Sequence, residues 1–120
     1  MDILIVDDAE SVRLNISRLI SGALPEITIS TASDCRSAIE LLKSKEFQLV
    51  VLDIKLPDGS GFDVLTTINE MGLQTKVVMV SNFVCDKFKA KAMELGAAKF
   101  FDKTGEIDGL IAFIGEVTSA

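Results

Sequence analysis

The chain contains no His, no Trp and no Tyr, and among its 120 residues only two are Pro and two are Cys. Without an imidazole there is no Ser-His-Asp or Cys-His triad, no zincin site and no facial-triad iron site. Cys35 and Cys85 lack the close spacing of a metal or redox pair and are expected to pack as reduced thiols in a cytosolic protein. Long hydrophobic runs are missing too. Ile3 to Val6, Leu49 to Leu52 and Val77 to Val80 are each four residues long, far short of a membrane span. The acidic start, Met1-Asp2 with Asp7-Asp8 close behind, does not read as a signal peptide. Positive charge is scarce: 12 Lys plus Arg against 18 Asp plus Glu leave a net charge of −6, which offers nothing to nucleic acid or an anionic membrane.

What is present is an ordinary globular composition, 48% hydrophobic and 25% charged, at the length of one domain. Ile3-Leu4-Ile5-Val6 is apolar on both faces, as a strand covered by helices on each side of a parallel sheet reads. Val12, Ile16, Leu19, Ile20 and Ala23 then recur at helical spacing until Pro25 stops the helix. Ile27 to Ala32 predicts a second strand, and Ser33 an N-cap for a helix that buries Ala38, Ile39 and Leu42. Leu49 to Leu52 is a third strand ending at Asp53, and Ile54 to Gly61 is a loop dense in turn residues, with a helix cap near Ser60. The third helix carries Val64, Leu65 and Ile68 inward and closes near Gly72. Lys76 to Val80 is a fourth strand ending at Ser81, followed by a helix over about Asp86 to Leu95 with Gly96 as a left-handed C-cap. The fifth strand is about Ala98 to Phe101, and the last helix sets Ile107, Leu110, Ile111 and Ile114 on one side, although Gly109 and Gly115 weaken it.

This strict alternation predicts one α/β domain over residues 1–120, a (βα)5 chain with right-handed crossovers and a five-stranded parallel sheet. The expected arrangement is flavodoxin-like and doubly wound, with strand order 2-1-3-4-5; a barrel needs about 250 residues. No linker, repeat or low-complexity tract interrupts it.

Ligands of such sheets sit beyond the carboxyl ends of the strands, and the polar residues fall there. Asp7 and Asp8 follow the first strand, Asp53 ends the third, Ser81 ends the fourth and Lys103 lies past the fifth. An isolated Asp before a helix is usually an N-cap, and an isolated Ser or Lys a solvated loop residue. Three carboxylates meeting between neighbouring strands one and three, however, repel unless a cation joins them. A hard divalent ion such as Mg²⁺, with Mn²⁺ as a substitute, takes carboxylates, carbonyls and water and leaves room for a phosphoryl oxygen. Lys103 and Ser81 would hold the remaining oxygens, an arrangement suited to phosphoryl transfer with a carboxylate as nucleophile.

The segment Asp53-Ile54-Lys55-Leu56-Pro57-Asp58-Gly59-Ser60-Gly61, the pair Asp7-Asp8, Ser81 after Val77-Val78-Met79-Val80, and Gly96 to Lys103 resemble the receiver domain of two-component response regulators, similar to the stand-alone chemotaxis type. The resemblance covers essentially the whole chain. It implies Asp53 as phosphoacceptor, with Ser81 and Lys103 contacting the phosphoryl group. It also implies Mg²⁺ held by Asp8 directly, by Asp7 largely through water and by the Lys55 backbone carbonyl, with Asp53 in the same metal site. Phe100 matches the aromatic whose rotamer follows Ser81 in this family, and is equally a core Phe at a strand end. The family further implies a bacterial, cytoplasmic phosphoprotein that catalyses its own phosphorylation and dephosphorylation without turning over an external substrate. A histidine kinase or histidine phosphotransfer protein would be the donor, meeting the first helix near Arg13 and Arg18. Phosphorylation would shift a pre-existing equilibrium of the fourth helix, fifth strand and last helix toward an active form that controls a partner protein or an output domain.

Four positions limit the match. Thr104 stands where the family has Pro after a cis bond; a cis bond to Thr costs about 3 kcal/mol, so a trans or strained loop is expected. Asn82 replaces a small residue, which restricts donor size. Lys55 and Phe83 occupy the positions that tune water access, and bulky Phe83 predicts slow self-dephosphorylation. Lys55 also has a surface partner in prospect, Asp58. Ala112 and Phe113, between Asp108 and Glu116, read as an exposed patch for a homodimer or effector contact. With no effector domain in residues 1–120, both a stand-alone receiver and a piece of a longer regulator stay open. Three rival readings also remain: a haloacid-dehalogenase-type phosphatase, a flavin module and a pseudo-receiver that only binds a partner. The first lacks its DxDx[TV] motif, and the second lacks a phosphate loop after strand one.

Overall fold

The computed structural model describes residues 1–82 and 85–119. Five strands, β1 (Asp2–Val6), β2 (Thr28–Ala32), β3 (Leu49–Asp53), β6 (Lys76–Ser81) and β7 (Lys99–Asp102), form one parallel sheet in the order β2-β1-β3-β6-β7. This is the predicted 2-1-3-4-5 order, renumbered because the expected loop after Asp53 contains two further strands. Those are β4 (Lys55–Leu56) and β5 (Gly59–Ser60), a small antiparallel hairpin turning at Pro57-Asp58. Five helices complete the domain: α1 (Glu10–Ala23), α2 (Cys35–Ser44), α3 (Gly61–Glu70), α4 (Asp86–Glu94) and α5 (Ile107–Ser119). No helix among the described residues is long and apolar enough to cross a membrane.

Side chains alternate across the sheet, so each central strand feeds two cores. Leu4, Val6, Val50, Leu52, Val77 and Met79 face α2, α3 and α4, whereas Ile3, Ile5, Leu49, Val51, Val78 and Val80 face α1 and α5. Every residue of β3 is buried, which explains its unbroken apolar run; each such side chain contributes roughly 1.5–3 kcal/mol of transfer free energy.

Several helix details differ from the sequence expectation. The inner face of α1 is Val12, Ile16 and Ile20, continued by Leu24, while Leu19 and Ala23 point to solvent because α1 meets the sheet over a narrow stripe. Asp34, not Ser33, caps α2 by accepting from the Ser37 amide at 2.8 Å, and Cys35 takes the buried place expected of Ile39, which is half-buried. Cys35 is a buried thiol, but Cys85 is exposed at the start of α4. Phe113 is not a protruding aromatic: it is half-buried, with its ring 6.3 Å from that of Phe101 on β7. Ser60 caps α3 as expected, in a capping box closed by Asp63, and Gly96 ends α4 at φ +93°.

Gly61 opens α3 directly over the end of β3. Its amide donates to the Ile54 carbonyl at 2.7 Å, and a Cβ there would stand 2.1 Å from the Asp53 carbonyl oxygen. Gly61→Ala is therefore expected to cost roughly 1–3 kcal/mol by forcing α3 away from β3. Gly22→Ala, on an open face of α1 with nothing within 4 Å, should instead stabilise by about 0.5–1 kcal/mol. Urea unfolding of the two variants checks this pair, and an unchanged midpoint for Gly61→Ala would contradict it.

Candidate functional site

Sheet register assembles the site. Val6 lies opposite Leu52, so Asp7, one residue beyond β1, comes level with Asp53 at the end of β3. Ser81 pairs with Asp102 across β6 and β7, so Lys103 emerges beside them. Backbone bonds fix these ends: the Asp7 amide donates to the Ala32 carbonyl at 3.1 Å and the Lys103 amide to the Ser81 carbonyl at 3.0 Å. Asp7, Asp53 and Ser81 are the buried polar or charged residues among the described ones, and all three lie at this edge. Among the described residues the core thus concentrates most of its polar desolvation cost at this edge.

Lys103 is the cation of the pocket. Its Nζ lies 2.6 Å from Asp7 Oδ2 and 2.8 Å from Asp53 Oδ2, with little of the three side chains exposed. Asp7 Oδ1 accepts from the Ala9 amide at 2.9 Å, and its buried Oδ2 is held by the Lys103 ammonium. Asp8 is exposed, yet carboxylate oxygens of Asp7, Asp8 and Asp53 come within 4.8 Å of one another. One ammonium among three carboxylates leaves two negative charges uncompensated. Burial pushes the Asp53 carboxyl above its ordinary value, Asp7 adds repulsion, and the Lys103 contact only partly opposes them. Burial works against the charge of Lys103, but its contacts with Asp53 and Asp7 outweigh this and raise its value.

Oxygens of three carboxylates that share a single ammonium are a donor set suited to a hard divalent cation, and the residues present fit Mg²⁺ on that chemistry. Lys55 stands exposed on β4, two residues beyond Asp53. Asn82 is exposed next to Ser81, and Phe83 lies outside the described residues. Phe100 is half-buried and packs against the core cluster that α2, α3 and α4 cover.

Both oxygens of Asp58, the residue expected beside Lys55, accept from amides at the start of α2. Arg13 is half-buried with its guanidinium 2.5 Å from the Asp7 carbonyl oxygen, so Arg18 alone of the two arginines on α1 is exposed. The Lys103-Thr104 bond is not cis. Its turn is fixed by side chains, since the Thr104 amide and hydroxyl both donate to Asp102 Oδ1, at 2.9 and 2.7 Å, and the Asp102 amide donates to the Glu106 carboxylate at 3.0 Å. Sequence reasoning missed the cap that Asp58 places on α2 and the turn that Asp102 builds; the Asp102-Lys103-Thr104 spacing of an Asx turn was the available signal for the second.

Because the folded-state value of Asp53 lies above its unfolded value of 3.8, the charged carboxylate costs stability above the folded value and nothing below the unfolded one. Asp53→Asn should therefore melt higher than the parent at pH 7 without divalent cations, by roughly 2–5 °C, with the gap narrowing as pH falls toward about 4. Calorimetry across that range checks the sign, which a lower midpoint throughout would reverse.

Comparison with known proteins agrees with this geometry. The family model for the response regulator receiver domain matches residues 3–115. The chain is 31% identical over 114 residues to the transcriptional regulatory protein DltR of Streptococcus agalactiae, an alignment that covers 95% of this chain and 50% of that protein. It therefore spans about half the length of that curated relative. Among solved structures, the signal receiver domain of an HD domain-containing protein from Pseudomonas fluorescens superposes with a TM-score of 0.86 at 27% identity, covering 97% of this chain and 85% of the other. The BeF3-activated DrrB receiver domain superposes with a TM-score of 0.80 at 27% identity, covering 99% and 97%. With a family model matched over nearly its full length and an acidic pocket at the carboxyl edge of its sheet, the chain belongs to the response regulator receiver domain family.

Proposed function

We propose that this receiver domain accepts a phosphoryl group on Asp53 and passes the signal on through α4, β7 and α5. The observation that carries the reading is the buried Asp53 carboxylate at the end of the central strand, flanked by Asp7, Asp8, Ser81 and one shared ammonium. An Asp53 oxygen would attack the phosphorus of a phosphohistidine on a kinase or phosphotransfer protein. The new O–P bond forms as the N–P bond breaks, and the electron pair leaves with the imidazole of the donor. Residues 1–120 contain no His, so the donor histidine would lie outside this stretch. Asp7, Asp8, Asp53 and the Lys55 carbonyl would hold Mg²⁺, which when bound supplies positive charge for the phosphoryl oxygens.

Within the chain, Lys103 would exchange one carboxylate contact for the phosphoryl group, and the Ser81 hydroxyl would move to donate to it. Both residues join β6 and β7 to the elements that signal. Support for α4 as the responsive element comes from its thin packing: Ala92 is its one fully buried residue among those described. Moving the population from mostly inactive to mostly active requires about 5.5 kcal/mol of differential interaction, within reach of several charge-assisted hydrogen bonds. Access to Asp53 would be set by Lys55, Asn82 and Phe83, and Phe100 would follow Ser81. The donor would dock at α1, and the output would be a partner protein, a second copy or residues outside this stretch, with the domain acting in the cytoplasm. Since residues 1–120 carry a charge of −6, nucleic-acid contact in a protein of the DltR kind would fall to residues elsewhere.

A small-molecule phosphodonor with Mg²⁺ should label the parent protein at one site, and Asp53→Asn should abolish that label, as should removal of divalent cations. Intact-mass measurement checks all three, and label appearing on another residue of the variant would overturn the assignment of Asp53.

A further inference from the structure

The first turn of α2 is capped by two carboxylates from different parts of the chain. A helix start leaves its first N–H groups without intrahelical partners. Asp34, the local cap, takes the Ser37 amide at 2.8 Å. The preceding two amides go elsewhere: Asp58, 23 and 22 residues away in sequence, accepts from Cys35 through Oδ1 at 2.8 Å and from Arg36 through Oδ2 at 3.1 Å. Beside it, the Cys35 thiol donates to the Ser60 carbonyl at 3.4 Å. The amides draw the Asp58 carboxyl below its ordinary value, while burial, with Asp58 beside it, pushes the Cys35 thiol up to about 12 and keeps it neutral.

Asp58 sits at the turn of the β4–β5 hairpin, which connects Asp53 to α3. The far end of the hairpin is fixed to α3, with the Ser60 amide donating to Asp63 Oδ2 at 2.9 Å and the Gly61 amide to the Ile54 carbonyl at 2.7 Å. Beyond Leu56, which is buried in the core, its tip is tied to α2 by Asp58. A short hairpin of two residues per strand is not stable by itself, so its position depends on these anchors.

We propose that Asp58 is a positioning residue for the phosphoacceptor site: its carboxylate bolts the hairpin onto the start of α2 and thereby sets where the Lys55 carbonyl stands relative to Asp53. The inference rests on the functional reading above, and it gives α2 a part in metal and phosphoryl binding. Groups one layer outside a metal site typically change metal affinity 10–100-fold when removed.

The test uses the full chain, titrated with Mg²⁺ alone and followed by amide NMR shifts around Asp7, Asp8 and Asp53. Hydrogen exchange of amides 55–60 and the thermal midpoint are measured alongside. Asp58→Ala should raise the half-saturating Mg²⁺ concentration roughly tenfold and speed exchange across 55–60. Asp58→Asn, which keeps one acceptor oxygen, should fall between it and the parent, and carries the comparison where Asp58→Ala fails to fold. Asp34→Ala removes a cap from the same turn without touching the hairpin; it should lower the thermal midpoint yet leave the Mg²⁺ midpoint within about twofold. Parent-like Mg²⁺ binding in both Asp58 variants overturns the inference, and so does equal weakening in Asp34→Ala, which would make the effect one of helix stability. Absence of any Mg²⁺-shifted amides in the parent would overturn the functional reading itself, a distinct result.

Discussion

One ammonium shared by two buried carboxylates governs this structure. Lys103 reaches Asp7 and Asp53 across the carboxyl edge of the sheet, and a third acid, Asp8, stands beside them. Such a site is costly without a further cation, because desolvated carboxylates repel and Lys103 neutralises only one of them. The rest of the fold carries that cost: two apolar cores clamp the strands whose ends hold the acids, and few other polar side chains are buried. In the function proposed here, that charge deficit draws in a divalent ion and lets Lys103 change partners.

The connections around the pocket are built as braces. Asp58 ties the segment after β3 to α2, Ser60 and Asp63 tie it to α3, and Asp102 with Thr104 and Glu106 shapes the turn that presents Lys103. Carboxylates perform most of this bracing, which accounts for part of the acidic excess. The net charge of −6 is thus to a large degree internal engineering of one edge of the molecule, and speaks less about external partners than its size implies.

The fold was legible because βα alternation, apolar runs and Pro or Gly stops act locally. Asp7, Asp8, Asp53, Ser81 and Lys103 were legible because parallel topology sends all strand ends to one edge. What escaped depends on geometry between distant segments. Asp58 capping α2, Arg13 folding back on the Asp7 carbonyl and Phe113 packing on Phe101 each join residues whose proximity no local pattern encodes. Leu19 and Ala23 were misplaced for a related reason: helical periodicity gives the width of an apolar stripe, whereas the sheet decides which part of it is covered.

In the proposed function, the acids and Lys103 together form a cation-dependent phosphoryl site. Fluoroberyllate, a phosphoryl mimic that bonds a carboxylate, tests it without any kinase. Titrated into the parent protein and followed by amide shifts, it should bind only with Mg²⁺ present and should move resonances of Asp53, Ser81, Lys103 and α4 together. Binding that is indifferent to Mg²⁺, or no binding with Mg²⁺ in excess, would contradict the account.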